Sequence, residues 1–291
     1  MLRFSYWSLV LLLTAGIWLS PLTHGYYGTD DRKDIYELSG QDLADSDSVV
    51  ALFPDFQVLD LGDGTSELLT VNYGDYYNLC PSEPFRDQPI GSFCSGVLVA
   101  PDVIATAGHC ITGEIALQNI RFVFGYRMHD ANTPELIINN NDIYRGVDVI
   151  AWQRDNNSGS DWALIRLDRT VVNHRIAPLR ESGTISDSQA VHIIGHPKGL
   201  PAKFAGGANV RDNRYRAFFS ANLDAYEGNS GSPVFNSITH EVEGILVRGE
   251  KPSFEKKGEC WVSRVCPDSG CLGEHSTRTT EFVHQIAWLG H

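Results

Sequence analysis

Basic residues are scarce in this sequence. Its 23 lysines and arginines stand against 36 aspartates and glutamates, a formal net charge of −13. No stripe of cations with interleaved aromatics interrupts that balance. Such a surface repels nucleic acid and anionic membranes, so neither is expected as a partner, and the charge is read as serving solubility. C-x-x-C pairs are missing, which argues against a zinc ribbon or a thiol redox motif. The stretch CWVSRVCPDSGC, Cys260 to Cys271, lacks ligand spacing and reads as stapled loop. No metal site is read and no cofactor is expected. Long helical patterns are few, no segment repeats at a fixed period, and no tract is of low complexity. The one long apolar run, Tyr6 to Leu19, is shorter than the roughly 20 residues a membrane-spanning helix needs.

That run instead reads as the core of an export signal. Arg3 precedes it and the small residues of Thr23–His24–Gly25 follow, so residues 1–25 are expected to be cleaved, leaving Tyr26 first. The expected location is extracellular or periplasmic. Six cysteines, Cys80, Cys94, Cys110, Cys260, Cys266 and Cys271, fit such an oxidising compartment. Residues 26–47 are acidic and poor in core residues, and read as an arm or a pro-segment. Residues 48–291 form the main domain. Strand-length apolar runs recur there (SVVALF, SGVLVA, VIATA, IRFVFGY, VDVIAW, WALIRL, AVHIIG, SPVF, VEGILVRG), separated by Gly, Asn, Asp and Pro. The exception is the tail. Thr279 or Thr280 can cap a helix over about 279–290, with Phe282, Val283, Ile286 and Leu289 apolar and Gly290 closing it. The expected fold class is all-β: two packed antiparallel β-barrels with a C-terminal helix.

The segment EGNSGSPVF surrounds Ser230 with residues of little bulk. Gly, Asn and Ser are common in turns, but the same composition suits a nucleophile whose neighbouring N–H groups must reach a substrate oxygen. A serine hydroxyl is a weak nucleophile. It needs a base to take its proton and a third group to orient the base. VIATAGHC places His109 after a strand-like run and before Cys110; a Cys94–Cys110 bridge would staple adjacent strands and hold His109 at a strand end. His196, in IGHPKG, is a weaker competitor and reads as structural. The carboxylate is Asp161, which opens the apolar segment of GSDWALIRLD and must be paired if the strand carries it inward. Asp148 and Asp168 are alternatives, although neither immediately precedes such a run.

TAGHC, DWALIRL and GNSGSPV, in the order His, Asp, Ser, resemble the signatures of chymotrypsin-like serine peptidases. The order differs from that of α/β-hydrolases, and GNSGS lacks the last glycine of their G-x-S-x-G elbow. The asparagine before Ser230, the segment YGTDDR (Tyr27 to Arg32) and IGHPKGLPAKFAGGANV are similar to the bacterial V8-like, or glutamyl endopeptidase-like, branch. The resemblance spans residues 27–290 and implies a trypsin-like pair of barrels. It makes Ser230 the nucleophile, His109 the base and Asp161 its orienting partner, with the N–H groups of Gly228 and Ser230 as the oxyanion hole.

The resemblance also places Asp224, six residues before Ser230, at the base of the substrate pocket, implying cleavage after basic residues. Leu246 stands where glutamyl endopeptidases carry a histidine, which counts against a Glu-type pocket, and Arg248 beside it pairs with Asp224 or meets an acidic substrate. Asn229 cannot supply the aspartate that pairs with a freed N-terminus in trypsin, so no activation switch of that kind is expected, and Ile90 is not expected to become a new N-terminus. Cys94–Cys110 is the implied bridge; Cys80–Cys260 with Cys266–Cys271 is the simplest arrangement of the rest, although connectivity is not readable from sequence. Protein or peptide substrates and a monomer are expected. The rival readings are a secreted binding or adhesion protein on the same fold and an esterase with the same machinery.

Overall fold

A computed structural model describes residues 25–111, 115–249 and 252–287. Residues 1–24 of the expected export signal, and the end of the expected C-terminal helix with Leu289 and Gly290, lie outside these.

The described chain opens with the arm: β1 (Tyr26–Tyr27), β2 (Arg32–Asp34) and the short helix α1 (Gly40–Ser46). The first barrel follows, from β3 (Val49–Pro54), β4 (Cys94–Ala100), β5 (Val103–Thr106), β6 (Ile120–Val123), β7 (Ile143–Asp155) and β8 (Ser160–Leu167). A one-turn helix, α2 (Gly108–Ile111), sits between β5 and β6. The six strands close in the order β6-β7-β8-β5-β4-β3. β-Branched and aromatic side chains suit this pleated, covered surface. Every residue of β4 and β5 is buried, because one face fills the barrel and the other is covered from outside. Two register shifts in β7, at Gly146/Asp148 and Val149/Ala151, allow the long strand to bend around the barrel.

The second barrel contains β9 (Ala190–Gly195), β10 (Lys203–Asp212), β11 (Phe218–Ala221), β12 (Pro233–Asn236), β13 (Val242–Arg248) and β14 (Glu274–Arg278). Its order is β9-β12-β13-β14-β11-β10, and pairing of β9 with β10 closes the ring. Alternation along β9 sends Val191 and Ile193 into this barrel's core and His192 to the other face. A larger core of Leu98, Ile104, Leu164, Phe235, Ile245 and others joins the two barrels. Each such fully buried side chain contributes about 1.5–3 kcal/mol.

The arm is built into the second barrel. β2 lies antiparallel to the start of β10, with Asp34 opposite Lys203, and β1 pairs in parallel with Val265–Cys266. Lys203 Nζ donates to Asp34 Oδ1 at 2.5 Å, Gln88 Oε1 at 2.7 Å and Pro201 O at 2.9 Å, while Gln88 Nε2 donates to Asp34 Oδ2 at 2.8 Å. All three side chains are buried, and the network leaves no charge unmet. The arm is therefore richer in buried contacts than its composition indicates.

Three disulfides join Cys94 to Cys110, Cys80 to Cys260 and Cys266 to Cys271. Ile90 is buried and paired opposite Val71. The C-terminal helix begins later than expected: a 3₁₀ turn, Thr279–Glu281, precedes α3 (Val283–Ala287). Thr279 does not cap it, because its hydroxyl donates to Arg180 O at 2.7 Å.

Candidate active site

β5 ends in Thr106 and the chain turns through Ala107 and Gly108 into α2, which presents His109. The turn needs a glycine. A Cβ at Gly108 would lie 2.7 Å from Gln153 O and 2.9 Å from Asp161 Oδ1. Asp161 is the second residue of β8, and its backbone N–H donates to Thr277 Oγ1 of the second barrel at 3.2 Å. One carboxylate oxygen accepts the His109 backbone N–H at 3.0 Å; the other is 2.8 Å from His109 Nδ1. On the far side of the ring, His109 Nε2 lies 2.8 Å from Ser230 Oγ. With a carboxylate at Nδ1, that nitrogen carries the proton and Nε2 is free to accept from the serine hydroxyl. The Asp161 side chain is 11% exposed and that of His109 28%, so the carboxylate is shielded while the imidazole faces the cleft.

Ser230 lies on the loop before β12. Gly228 has φ +96° and Gly231 φ +87°, and Cβ atoms there would meet His196 O at 2.5 Å and Ser95 O at 2.1 Å. Both positions therefore require glycine, for conformation and for space. Among the described residues the backbone N–H groups of Gly228 and Ser230 donate to no backbone acceptor, which leaves two neighbouring donors at the serine. Asn229 is buried, and its Oδ1 accepts from Ser232 Oγ at 3.2 Å.

One supporting residue escapes sequence reasoning. Ser95, fully buried in β4, donates its N–H to Ser230 O at 2.8 Å and its hydroxyl to Gly228 O at 2.9 Å. The same hydroxyl accepts from His196 N at 3.0 Å. A first-barrel strand is thereby bonded to both ends of the serine loop. The available signal was a hydroxyl in an otherwise apolar strand, directly after Cys94. His196 is structural: burial pushes its pKa down to about 4, keeping the ring neutral. Its Nδ1 lies 3.0 Å from Leu200 O and its ring stacks on Tyr126.

The cleft of about 640 Å³ is lined by His109, Gly228, Ser230, Leu246 and Arg248, among others. Leu246 and Arg248 both line this cleft. Asp224 does not line the cleft. It is 3% exposed, and its two oxygens accept the backbone N–H groups of Tyr27 and Asp31, each at 2.7 Å. The arm has taken the carboxylate that the sequence reading assigned to a substrate. Nor does Asp224 pair with Arg248, whose guanidinium donates to Gly159 O at 2.5 Å and to His275 Nδ1 at 3.2 Å. Asp148 and Asp168 are exposed, Asp168 accepts from Arg169, and the carboxylate at His109 Nδ1 is that of Asp161. The Cys94 and Cys110 sulfurs lie near His109, but the disulfide removes them as metal ligands.

The fold is similar to a solved Glu endopeptidase in complex with MPD, at 16% identity and a TM-score of 0.52, covering 90% of this chain and 98% of that one. It is also similar to the Vibrio cholerae VesB protease, at 12% identity and a TM-score of 0.52, covering 89% of this chain and 67% of that one. At these identities the likeness is one of fold. A search of curated proteins finds no match to the chain. A family model described as a trypsin-like peptidase domain matches residues 94–245, just over half of the chain, running from β4 through the serine loop into β13. The chain accordingly belongs to the trypsin-like peptidase family.

Proposed function

We propose that the protein is an exported serine endopeptidase of the V8-like kind. The observation that carries the reading is the pair of 2.8 Å contacts on opposite nitrogens of His109, to Asp161 and to Ser230. Ser230 Oγ attacks the scissile carbonyl carbon as its proton passes to His109 Nε2. The carbonyl oxygen becomes an oxyanion that accepts from the N–H groups of Gly228 and Ser230. Collapse breaks the C–N bond, and the leaving amine takes the proton from Nε2. Water then attacks the acyl-enzyme, gives a proton to Nε2, and Ser230 leaves with it. Asp161 remains ionised and stabilises the imidazolium.

The basic-P1 reading depends on Asp224, which the arm occupies. Selection of an acidic P1 side chain is favoured by Arg248, a cationic residue in the cleft lining. Residues 1–25 are read as a cleaved signal and residues 26–47 as retained, because Asp224, Lys203 and Gln88 all use arm partners.

Digestion of a peptide library, read by mass spectrometry beside Ser230→Ala, tests the reading. Cleavage lost in the variant and enriched after acidic residues supports it. Cuts only after Lys or Arg would overturn the acidic P1. Turnover of esters alone would identify an esterase, and no turnover by a folded, processed chain would identify a binding protein.

A further inference from the structure

Beside the second barrel, four side chains from three separate segments converge. Asp42 and Asp45 come from α1, His192 from β9, and His240 from the turn between β12 and β13. One ligand atom from each lies within 4.8 Å of the others. We propose that these four residues form a zinc-type metal site that pins the arm to the second barrel.

The central observation is His192. It is 1% exposed, and its Nε2 is buried without a hydrogen-bond partner. That nitrogen points at Asp45 Oδ2 from 3.6 Å, too far for a hydrogen bond. Zinc–ligand bonds of about 2.0–2.2 Å in a tetrahedron put neighbouring ligand atoms roughly 3.3–3.5 Å apart, close to this separation. His240 Nδ1 is 2.6 Å from the same oxygen, a contact that opens by less than about 1 Å to admit an ion.

The outer contacts that orient metal ligands are in place. His192 Nδ1 lies 3.2 Å from Ser237 Oγ, so the second ring nitrogen has a partner and Nε2 is left for the ion. The ring is held between Phe235, at 5.2 Å and 12° between planes, and Phe204, at 5.0 Å. Asp45 Oδ1 accepts from Gln41 Nε2 at 2.9 Å and from Arg175 Nη1 at 3.4 Å, which leaves Oδ2 facing the two imidazoles. His240 holds φ +58°, a conformation a β-carbon resists. Two imidazoles and two carboxylates suit zinc and its transition-metal neighbours. They do not suit calcium or magnesium, which take oxygen ligands.

The test titrates zinc chloride into the full processed chain carrying Ser230→Ala, which prevents self-digestion, and follows binding by calorimetry and thermal unfolding. One zinc bound with a raised Tm is expected. His240→Gly removes the imidazole and relieves the φ, so the metal-free protein stays folded. In that variant zinc affinity is expected to fall at least about 100-fold and the Tm rise to vanish. Asp42→Asn is expected to weaken binding by a smaller factor, and His129→Ala, on an exposed histidine elsewhere, to leave it unchanged. Absence of saturable zinc binding, or equal binding by His240→Gly and the parent, would overturn the proposal. Calcium raising Tm as much as zinc would overturn the assigned metal class.

Discussion

The residues facing inward in the first barrel, among them Val97, Ile104, Phe122 and Leu164, are apolar, whereas the second barrel and its arm bury Arg32, Asp34, Lys203, Asp224, Glu243 and Arg278. The first barrel closes on its own strands. The second buries charges that are balanced by partners far away in sequence, such as Asp34 for Lys203, 169 residues apart. The proposed chemistry sits where the two meet: His109 and Asp161 come from the first barrel and Ser230 from the second. The contrast separates two kinds of residue. Those in the cleft are expected to set the rate, and those under the arm to set whether the second barrel holds its shape.

Substitutions can sharpen or break that division. The largest expected effect is that of Ser230→Ala, which lowers kcat by about 10⁶ with Tm unchanged to within a few degrees; a large fall in Tm would show that the loop serine is structural. Asp34→Ala comes next. It leaves Lys203 buried without its counter-charge and is expected to cost about 3–5 kcal/mol in urea unfolding, with kcat of the folded fraction retained. Loss of kcat at unchanged stability would break the comparison. Ser95→Ala removes the hydroxyl that spans Gly228 O and His196 N, so two loop groups lose a partner worth about 1–3 kcal/mol. It is expected to lower kcat about 10- to 100-fold with KM nearly constant, since it shifts the oxyanion donors rather than the cleft wall.

The smallest effect is a pH dependence with two opposed parts. Burial pushes the Asp224 carboxyl up to about 7 from the usual 3.8. Between those values the folded chain holds a proton that the unfolded chain has released, so this group's contribution to stability falls as pH rises. Burial pushes His196 down to about 4 from the usual 6.5. Its contribution is present above 6.5 and is lost as pH falls toward 4. The two offset each other over most of this window. Asp224→Asn removes one of them, and the urea midpoint of that variant is expected to rise with pH from about 4 to 6.5 more steeply than that of the parent. Parallel profiles would show that Asp224 is ionised throughout.

The same contrast explains what could be read in advance. The strands, the closure into two barrels and the approach of His109, Asp161 and Ser230 were legible because each depends on a contiguous run: an apolar strand, a glycine turn, a cysteine beside a histidine. Asp224 was placed by its offset from Ser230, which says where a side chain is but not what arrives to cover it. The N–H groups that cover it come from residues 27 and 31, 197 and 193 positions earlier. Ser95 and the His192–His240 cluster were hidden for a related reason. Their partners share no local spacing, and only the folded arrangement brings them together. The acidic arm read only as an arm or pro-segment because, beside Tyr27 and Ile35, what it buries is polar, namely Arg32, Asp34 and Asp45, and composition registers only apolar contacts.

The arm's placement also bears on the order in which the molecule becomes competent. Tyr27 and Asp31 are synthesised early, yet Asp224, six residues before the serine, receives their N–H groups only when most of the chain exists. Arg32, fixed by Asp30 at 2.7 Å, lies 4.5 Å from the ring of Tyr226 in the cleft wall. A nascent chain halted before residue 224 has neither the nucleophile nor the anchor for its own beginning. Completion of this part of the cleft wall therefore waits for the arm to meet the segment around residue 224.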